Sequence, residues 1–264
     1  MTNAAADTSA DRSHDPEAAA VASVIDVLKR RASVRSFEDR DVPEDMIRTI
    51  LDAARQAPTS SNLHAYSVIV VRDPATKARL AALAGDQAHV AKAPVFLALC
   101  ADINRLDLVA QEAGDKLARD HLEMSLVAMI DAALVGMSAT LAADSLGLGG
   151  CMIGGMRNDP LAVAETLGLP DGVFVVFGLT MGWPIERPPA KPRMPDDLMV
   201  HWETYQTTDA AQVIGRYDPI LEAHKERTDR ADGVTWSQRI TNGFSKPKRL
   251  GLAKVLKQLG FGLD

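Results

Sequence analysis

The longest helical pattern in this chain covers about Asp115–Leu146. Apolar residues recur every three or four positions along it, and within Leu126–Ala143 nearly every face is apolar. A helix of this kind lies at the centre of a large core or covers a subunit interface. Its length also suits a membrane span, but Asp131, Asp144 and many small residues argue against one. The run therefore predicts a core helix that also packs against a second copy of the chain.

Three short apolar segments predict buried strands, at Ser67–Val71, Ala93–Ala101 and Val173–Met181. Helical patterns accompany them at Val21–Arg31, about Pro43–Ala57, Ala75–Ala84 and Pro160–Leu167. Few strands and many helices indicate an α/β or α+β fold with a small, helix-flanked sheet. The long helix has more apolar surface than such a sheet can cover, which predicts a homodimer.

The charge of the chain is unevenly distributed. Among 264 residues, 29 Lys and Arg stand against 35 Asp and Glu, so the net charge is −6. Residues 1–20 hold half of it, as four acidic residues and one Arg. This polar segment predicts a disordered tail, and it lacks the basic and apolar regions of a secretory signal. We expect residues 21–207 to form the core. Residues 208–264 are expected to form a helical C-terminal arm of the same domain, with polar helices and without much core.

Composition excludes several classes of function. The acidic balance argues against a nucleic-acid surface. Cys100 and Cys151 lie far apart in apolar runs, which predicts buried, reduced thiols in a cytoplasmic protein rather than a disulfide framework. No two His are three or four residues apart, so zinc chemistry is not expected.

A glycine-rich stretch, Gly147–Gly155, follows the long helix. A dinucleotide-binding loop follows a strand instead, so this stretch is not such a fingerprint. Gly147 is predicted to end the helix. The pair Gly154 and Gly155 would let a flat ligand approach the bare backbone.

Two basic loops stand far apart in the chain. Arg31, Ser33 and Arg35 follow the first helix, and Lys191 and Arg193 lie in a Pro-rich loop. Each loop alone is typical of solvated surface charge, but together they suit a phosphate and an electron-rich ring. A turn at 59–62 adds hydroxyls and an amide, although plain turn chemistry also explains it.

In chain order, these segments resemble the nitroreductase superfamily, in its branch of oxygen-insensitive NADPH nitroreductases and NADPH–flavin reductases. The resemblance covers about residues 23–240. It is carried by Arg31–Phe37, Ala57–Asn62, Gly85–Val90, Cys100–Arg105, Asp144–Asn158, Phe177–Pro184 and Lys191–Pro195. It implies an α+β fold with a small mixed central sheet flanked by helices, and a long helix shared by core and dimer.

The resemblance also implies an activity. An FMN-dependent cytoplasmic homodimer would take hydride from NADPH at flavin N5 and release the nicotinamide. A nitroaromatic, quinone or flavin acceptor would then be reduced on the same face. The flavin carries this chemistry, so no catalytic side chain, metal, nucleic acid or membrane is implied.

Site residues follow from the matching motifs. Arg31, Ser33 and Arg193 would hold the FMN phosphate. Lys191, assisted by Arg35, would stabilise the charge that develops near flavin N1. The remaining implied contacts to FMN are Gly154 and Gly155 at the ring, Gln87 at the pyrimidine edge, and Ala32, Thr59, Ser60, Ser61, His64, Met152 and Ile153. His64 stands where the family often has Gln or Asn.

The reductant is implied by a basic loop near the C-terminal arm. Arg227 and Arg230 would bind the NADPH 2′-phosphate, while Asp232 falls where a second Arg is expected and weakens the preference over NADH. Two alternatives stay open: a flavin-binding or sensory module without turnover, and another superfamily chemistry such as reductive dehalogenation or flavin fragmentation.

Overall fold

The computed structural model describes residues 24–264. The predicted tail at 1–20 and the start of the predicted helix Val21–Arg31 lie outside these residues. Within the described part, four strands form one sheet in the order β1-β2-β4-β3. They are β1 (Tyr66–Val71), β2 (Val95–Asp102), β3 (Gly149–Ile153) and β4 (Val173–Gly182).

The predicted α+β class is confirmed, with one change to the sheet. All named strands pair antiparallel rather than in the mixed pattern expected. The parallel element is a single bridge between Ser33 and Gly150 beside β3. Strand β3 itself was predicted only as a glycine-rich connection, because Gly149 and Gly150 have low strand propensity.

Helices flank this sheet on both faces. They are α1 (residues 24–30), α2 (Glu44–Ala54), α3 (Pro74–Leu83), α4 (Ala88–Lys92), α5 (Asn104–Glu112), α6 (Leu122–Ser145), α7 (Pro160–Leu167), α8 (Ala210–Arg227), α9 (Trp236–Phe244) and α10 (Leu252–Gln258). Short 3₁₀ turns lie at Ser60–Asn62, Gly154–Arg157 and Asp196–Leu198.

The long helix α6 is central to the core, as predicted. It packs against the fully buried β2 and against α2, with Ala132, Val135 and Ala139 beside Leu97 and Leu99. It has 24 residues, and its most apolar 18-residue window has a mean hydropathy of 1.9, enough to cross a membrane by length and composition alone. Half of that window is nevertheless buried within the fold. The helix ends at Ser145, and Gly147, two residues later, has a positive φ of 88°, as predicted for the glycine that terminates it.

The start of α6 was predicted too early, at Asp115. Residues 115–121 instead run beside the end of the chain, where Leu122 N–H donates to Asp264 O and Gly262 N–H donates to Arg119 O. Arg119 also forms ion pairs with Asp107 and Asp171. These tertiary contacts compete with helix formation in a way that no local pattern reveals.

The C-terminal arm contributes more core than expected. After α10 the chain buries Leu259 and Phe261, and the Phe261 ring meets Phe174 edge-to-face at a centroid distance of 4.7 Å. The prediction of an arm without much core is therefore wrong for the residues after α10.

Both cysteines are buried, and burial raises the pKa of the Cys100 thiol to about 12, so this residue is a protonated core side chain.

Candidate functional site

The two predicted basic loops meet at one cavity of about 90 Å³. It is lined by Arg31, Ala32, Ser33, Arg35, Pro188, Pro189, Lys191, Arg193 and Arg230. Six residues predicted for FMN thus come together, although more than half of the chain separates the two loops. We call this space the cation cavity.

Backbone hydrogen bonds bring the loops together at the edge of β3. Val34 N–H donates to Gly150 O at 2.9 Å, so the first loop runs beside the strand. The second loop is joined to the first where Ile185 N–H donates to Ser36 O at 3.1 Å. The missed strand β3 is therefore the support on which the cation cavity is built.

Arg187 fixes the second loop to the end of α6. Its guanidinium donates to Asp144 Oδ1 at 2.6 Å and to the carbonyls of Gly147 and Leu148 at 2.9 and 2.6 Å. Asp144 is almost fully buried, so this pair lies largely out of water. The anchor stands immediately before Pro188, Pro189 and Lys191, and it sets where they enter the cation cavity.

Positive charge in the cation cavity is largely uncompensated. Within the described residues, Arg31, Arg35, Lys191 and Arg193 form no ion pair with a carboxylate, whereas Arg230 lies 3.5 Å from Glu186. Arg193 donates to the Lys191 carbonyl at 2.8 Å, which positions it without neutralising it. Converging donors with excess positive charge are what a phosphate group requires.

The predicted nucleotide-phosphate residues lie beside this same cavity. Arg230 lines it, and Arg227 lies on the last turn of α8. Burial, followed by the charges of Arg227, Lys191 and Arg230, holds the pKa of His224 below its usual value. The charges of Arg227, Lys191 and Arg230 therefore all act on His224, and two of these residues, Lys191 and Arg230, line the cation cavity.

The charge of Asp232 repels a bound anion less than the sequence suggests. Its carboxylate accepts from Lys225 Nζ at 2.9 Å and from Arg239. The hydrogen bond from Lys225 is the main reason why the pKa of Asp232 lies far below its usual value. Because two cations balance this charge, its repulsion of a bound phosphate is weaker than that of an isolated acid.

The glycine pair follows β3 as a 3₁₀ turn. A Cβ on Gly155 would lie 2.6 Å from Ala84 O and 2.9 Å from Gln87 Nε2. A side chain at Gly155 would therefore collide with the chain itself, while the contact of Gly154 and Gly155 with a flat ligand stays a prediction. Gly154 keeps an accessible edge, and before it Met152 is exposed while Ile153 is buried.

Helix α4 links this turn to the cation cavity. Gln87 precedes α4 and donates to Ala84 O at 2.8 Å. Two residues later, the Nε2 atom of His89 is buried and has no hydrogen-bond partner within the described residues. Burial and then the charge of Arg35 lower the pKa of His89. Because the unpaired nitrogen is buried, the charged form of His89 is disfavoured, which agrees with this direction.

The His89 environment predicts a pH dependence of stability. Because its pKa is depressed in the folded state, the unfolded chain takes up its proton more readily. The contribution to stability is complete above the ordinary value of 6.5 and is lost as the pH falls from there through the folded value. We expect His89→Gln to make the thermal midpoint depend less on pH between about 5 and 7.

Thermal melts at several pH values measure this effect. His224, whose pKa is lowered in the same direction, leaves part of the slope in the His89 variant. His121→Gln, at an exposed position, is the matched control and should keep the wild-type profile. A His89→Gln profile as steep as that of the wild type would contradict the prediction.

The remaining predicted residues form a separate loop between α2 and β1. Ser61, Asn62 and His64 have left-handed backbones, with φ of 46°, 57° and 53°. Such conformations cost roughly 1–3 kcal/mol each for residues other than glycine. His64 faces a second cavity of about 580 Å³, shared with Tyr66, Ser67 and Arg105. Thr59, Ser60, Ser61 and His64 are therefore not among the residues that line the cation cavity of their own chain.

Sequence reasoning missed the groups that support these loops. Asp131, a fully buried carboxylate of α6, accepts hydrogen bonds from the N–H groups of Ser60 and Ala65 in the Thr59–Ala65 loop, and Asp144 pairs with Arg187. The signal in the sequence is a pair of acidic residues, Asp131 and Asp144, at otherwise apolar positions of the helix. By themselves these two charges argue only against a membrane span.

Two family models match most of the chain. The model of the Nitroreductase family matches residues 28–183, and that of the family's C-terminal domain matches residues 191–264. The chain belongs to the nitroreductase family, and the resemblance found from its motifs is confirmed.

Individual relatives align along most of their length. An FMN reductase (NADPH) of Bacillus subtilis is 38% identical over 242 residues, which is 90% of this chain and 97% of the relative. An oxygen-insensitive NADPH nitroreductase of Salmonella typhimurium is 38% identical over 238 residues, with the same two shares. The structure of B. megaterium NfrA2 superimposes with a TM-score of 0.88 at 36% identity, covering 92% of this chain and 99% of that one.

Proposed function

We propose that this protein is an FMN-dependent oxidoreductase that passes hydride from NADPH to small acceptors such as nitroaromatics, quinones or free flavins. The observation that carries the proposal is the cation cavity, where four basic side chains from two distant loops lack carboxylate partners within the described residues. The names of the two relatives, an FMN reductase and an NADPH nitroreductase, support the same cofactor and reductant.

Each residue has a role that its position supports. Arg31, Ser33 and Arg193 would bind the phosphate of FMN, since they combine two guanidinium groups and a hydroxyl. Lys191 and Arg35 would face the ring, where positive charge favours the reduced cofactor. Bound FMN would accept hydride at N5 and pass it to the acceptor.

We propose that the active form is a homodimer. Leu122, Leu126, Ile130 and Leu134 recur every four residues on α6, and each is about 40–55% exposed. A stripe of this kind is typical of a subunit interface. Residues of the Thr59–Ala65 loop do not line the cation cavity of their own chain. In a dimer, this loop would meet the flavin bound by the partner chain. Sedimentation showing a stable monomer at micromolar concentration would exclude such a site.

NADPH is proposed as the preferred reductant, with NADH as the weaker one. Arg227 and Arg230 would receive the 2′-phosphate beside the cation cavity, and the balanced charge of Asp232 leaves them effective. This activity and the buried thiols together fit a cytoplasmic enzyme.

The absorbance spectrum of the purified protein tests the function. We expect a yellow protein. Under anaerobic conditions, its flavin absorbance should bleach when NADPH is added, and more slowly when NADH is added. A protein that stays colourless after incubation with FMN would contradict the proposal. Flavin bands that NADPH does not bleach would favour a binding or sensory module, and turnover with halogenated substrates would favour dehalogenation.

A further inference from the structure

We propose that Asp131 and Arg105 are positioning residues that hold the Thr59–Ala65 loop in the one shape that can contact a bound acceptor. This inference rests on the proposed function, because the loop matters only if its exposed side chains meet a ligand. The evidence is that two side chains of opposite charge form hydrogen bonds to the backbone of one strained loop and of the strand that follows it.

Asp131 closes the loop from the side of α6. Its Oδ1 accepts from Ser60 N–H at 3.0 Å, and its Oδ2 accepts from Ala65 N–H at 3.1 Å. One carboxylate thus joins the two ends of the loop. Asp131 is fully buried and has no cationic partner within ion-pair distance among the described residues. A buried carboxylate whose hydrogen bonds from the loop are two backbone amides is costly to retain. We therefore infer that Asp131 serves to hold that loop.

Arg105 binds the end of the same loop and the start of β1. Its Nη1 donates to His64 O at 3.2 Å and to Tyr66 O at 3.4 Å, while Nη2 donates to Ser67 Oγ at 2.9 Å. The buried Asp102 orients Arg105 through an ion pair of 3.2 Å. The carboxylate thus binds N–H groups and the guanidinium binds carbonyl groups within a few residues, which is a complementary arrangement.

The loop needs such support because three of its residues are in left-handed conformations. Its backbone is tied inward, yet the side chains of Ser60, Ser61, Asn62 and His64 are exposed. Strain that is held in place while polar side chains face outward is characteristic of a preorganised binding loop. Loss of either charge should release the loop without unfolding the sheet.

Asp131→Asn tests the role, because it keeps the shape and one acceptor but places an amide N–H against a loop N–H. Hydrogen exchange on the flavin-free protein gives a readout independent of activity. We expect the peptide covering residues 59–66 to exchange about tenfold faster, since one buried hydrogen bond is lost. In the FMN-loaded enzyme, kcat/KM for a quinone should fall up to about a hundredfold through misplacement of the loop.

Ser125→Ala is the matched control. It removes another buried hydrogen bond of α6, from Ser125 Oγ to Gly262 O. Ser125 lies near the first residue of α6, where the helix contacts the C-terminal residues of the chain. It should leave loop exchange and kcat/KM at wild-type values. If Asp131→Asn does not fold, Arg105→Gln tests the clamp from the exposed side, with an expected three- to tenfold rise in exchange.

The outcomes separate this inference from the proposed function. Unchanged loop exchange in both variants would show that the two charges do not hold the loop. Faster exchange with unaltered kcat/KM would show that the loop does not contribute to acceptor binding, and the proposed enzyme activity would be unaffected. A wild-type protein that bound no FMN would overturn both the function and this role, and the exchange data would then define a purely structural clamp.

Discussion

Replacing Arg35 with alanine is expected to raise the dissociation constant for FMN about tenfold to a hundredfold. A hydrogen bond to a charged group contributes roughly 1.5–3 kcal/mol, and no carboxylate among the described residues competes for this guanidinium. Removing Lys191 as well should bring the loss to about a thousandfold or more, because both cations line the cation cavity. Titration of flavin-free protein with FMN, followed by quenching of flavin fluorescence, measures the effect.

Riboflavin divides the site into its two parts. Since riboflavin lacks the phosphate, Arg193→Ala should weaken FMN binding but change riboflavin binding little. Arg35→Ala should weaken both ligands if it faces the ring. Lys254→Ala removes one exposed charge of α10 and should bind FMN as the wild type does. A double variant at Arg35 and Lys191 with unaltered affinity would show that the site has been assigned wrongly.

Replacing Arg187 with methionine should lower the free energy of unfolding by about 3 kcal/mol. The change leaves the carboxylate of Asp144, with a side chain only 2% exposed, without its cation. It also removes two hydrogen bonds to the carbonyls of Gly147 and Leu148, which follow α6. Urea unfolding of the flavin-free protein measures this loss, and we expect weaker FMN binding too, because the loop with Lys191 loses its anchor.

Arg48→Met provides the control for this comparison. Arg48 pairs with Glu44 on the surface of α2, with both side chains mostly exposed, so its loss should change stability by less than about 1 kcal/mol. Combining Arg187→Met with Asp144→Leu should recover part of the lost stability, since no buried charge then remains unpaired. Equal effects of Arg187→Met and Arg48→Met would contradict the importance of this pair.

Elements with a strong local pattern could be predicted from the sequence. Strands β1, β2 and β4 are continuous apolar runs, and α7 begins where Asp159 accepts from Ala162 N–H beside Pro160. Strand β3 could not be predicted, because two of its residues are glycines and it is held by pairing with β4. The beginning of α6 depends on contacts with the last residues of the chain, which are remote in sequence.

The site was predictable in its composition but not in its arrangement. The basic loops carry their own motifs, so Arg31, Arg35, Lys191 and Arg193 could be named as candidates. His89 and Asp131 could not be assigned, because an unpaired nitrogen and a buried carboxylate acquire meaning only from their surroundings. The packing of Gly155 against Ala84, which leaves no room for a side chain, could not be predicted either, because Ala84 is remote in sequence.

The sequence by itself determined the kinds of group available: a central apolar helix, short buried strands, two basic loops and a family pattern that runs in order along the chain. These properties depend on neighbouring residues and on periodicity, which the order of amino acids contains. Only the tertiary structure decided which charges are compensated. Asp144 and Asp232 have cations beside them, Asp131 has two backbone amides, and the four cations of the cation cavity have no carboxylate partner among the described residues. Electrostatic energy depends on distance and burial, so the net charge of −6 could not reveal an anion site.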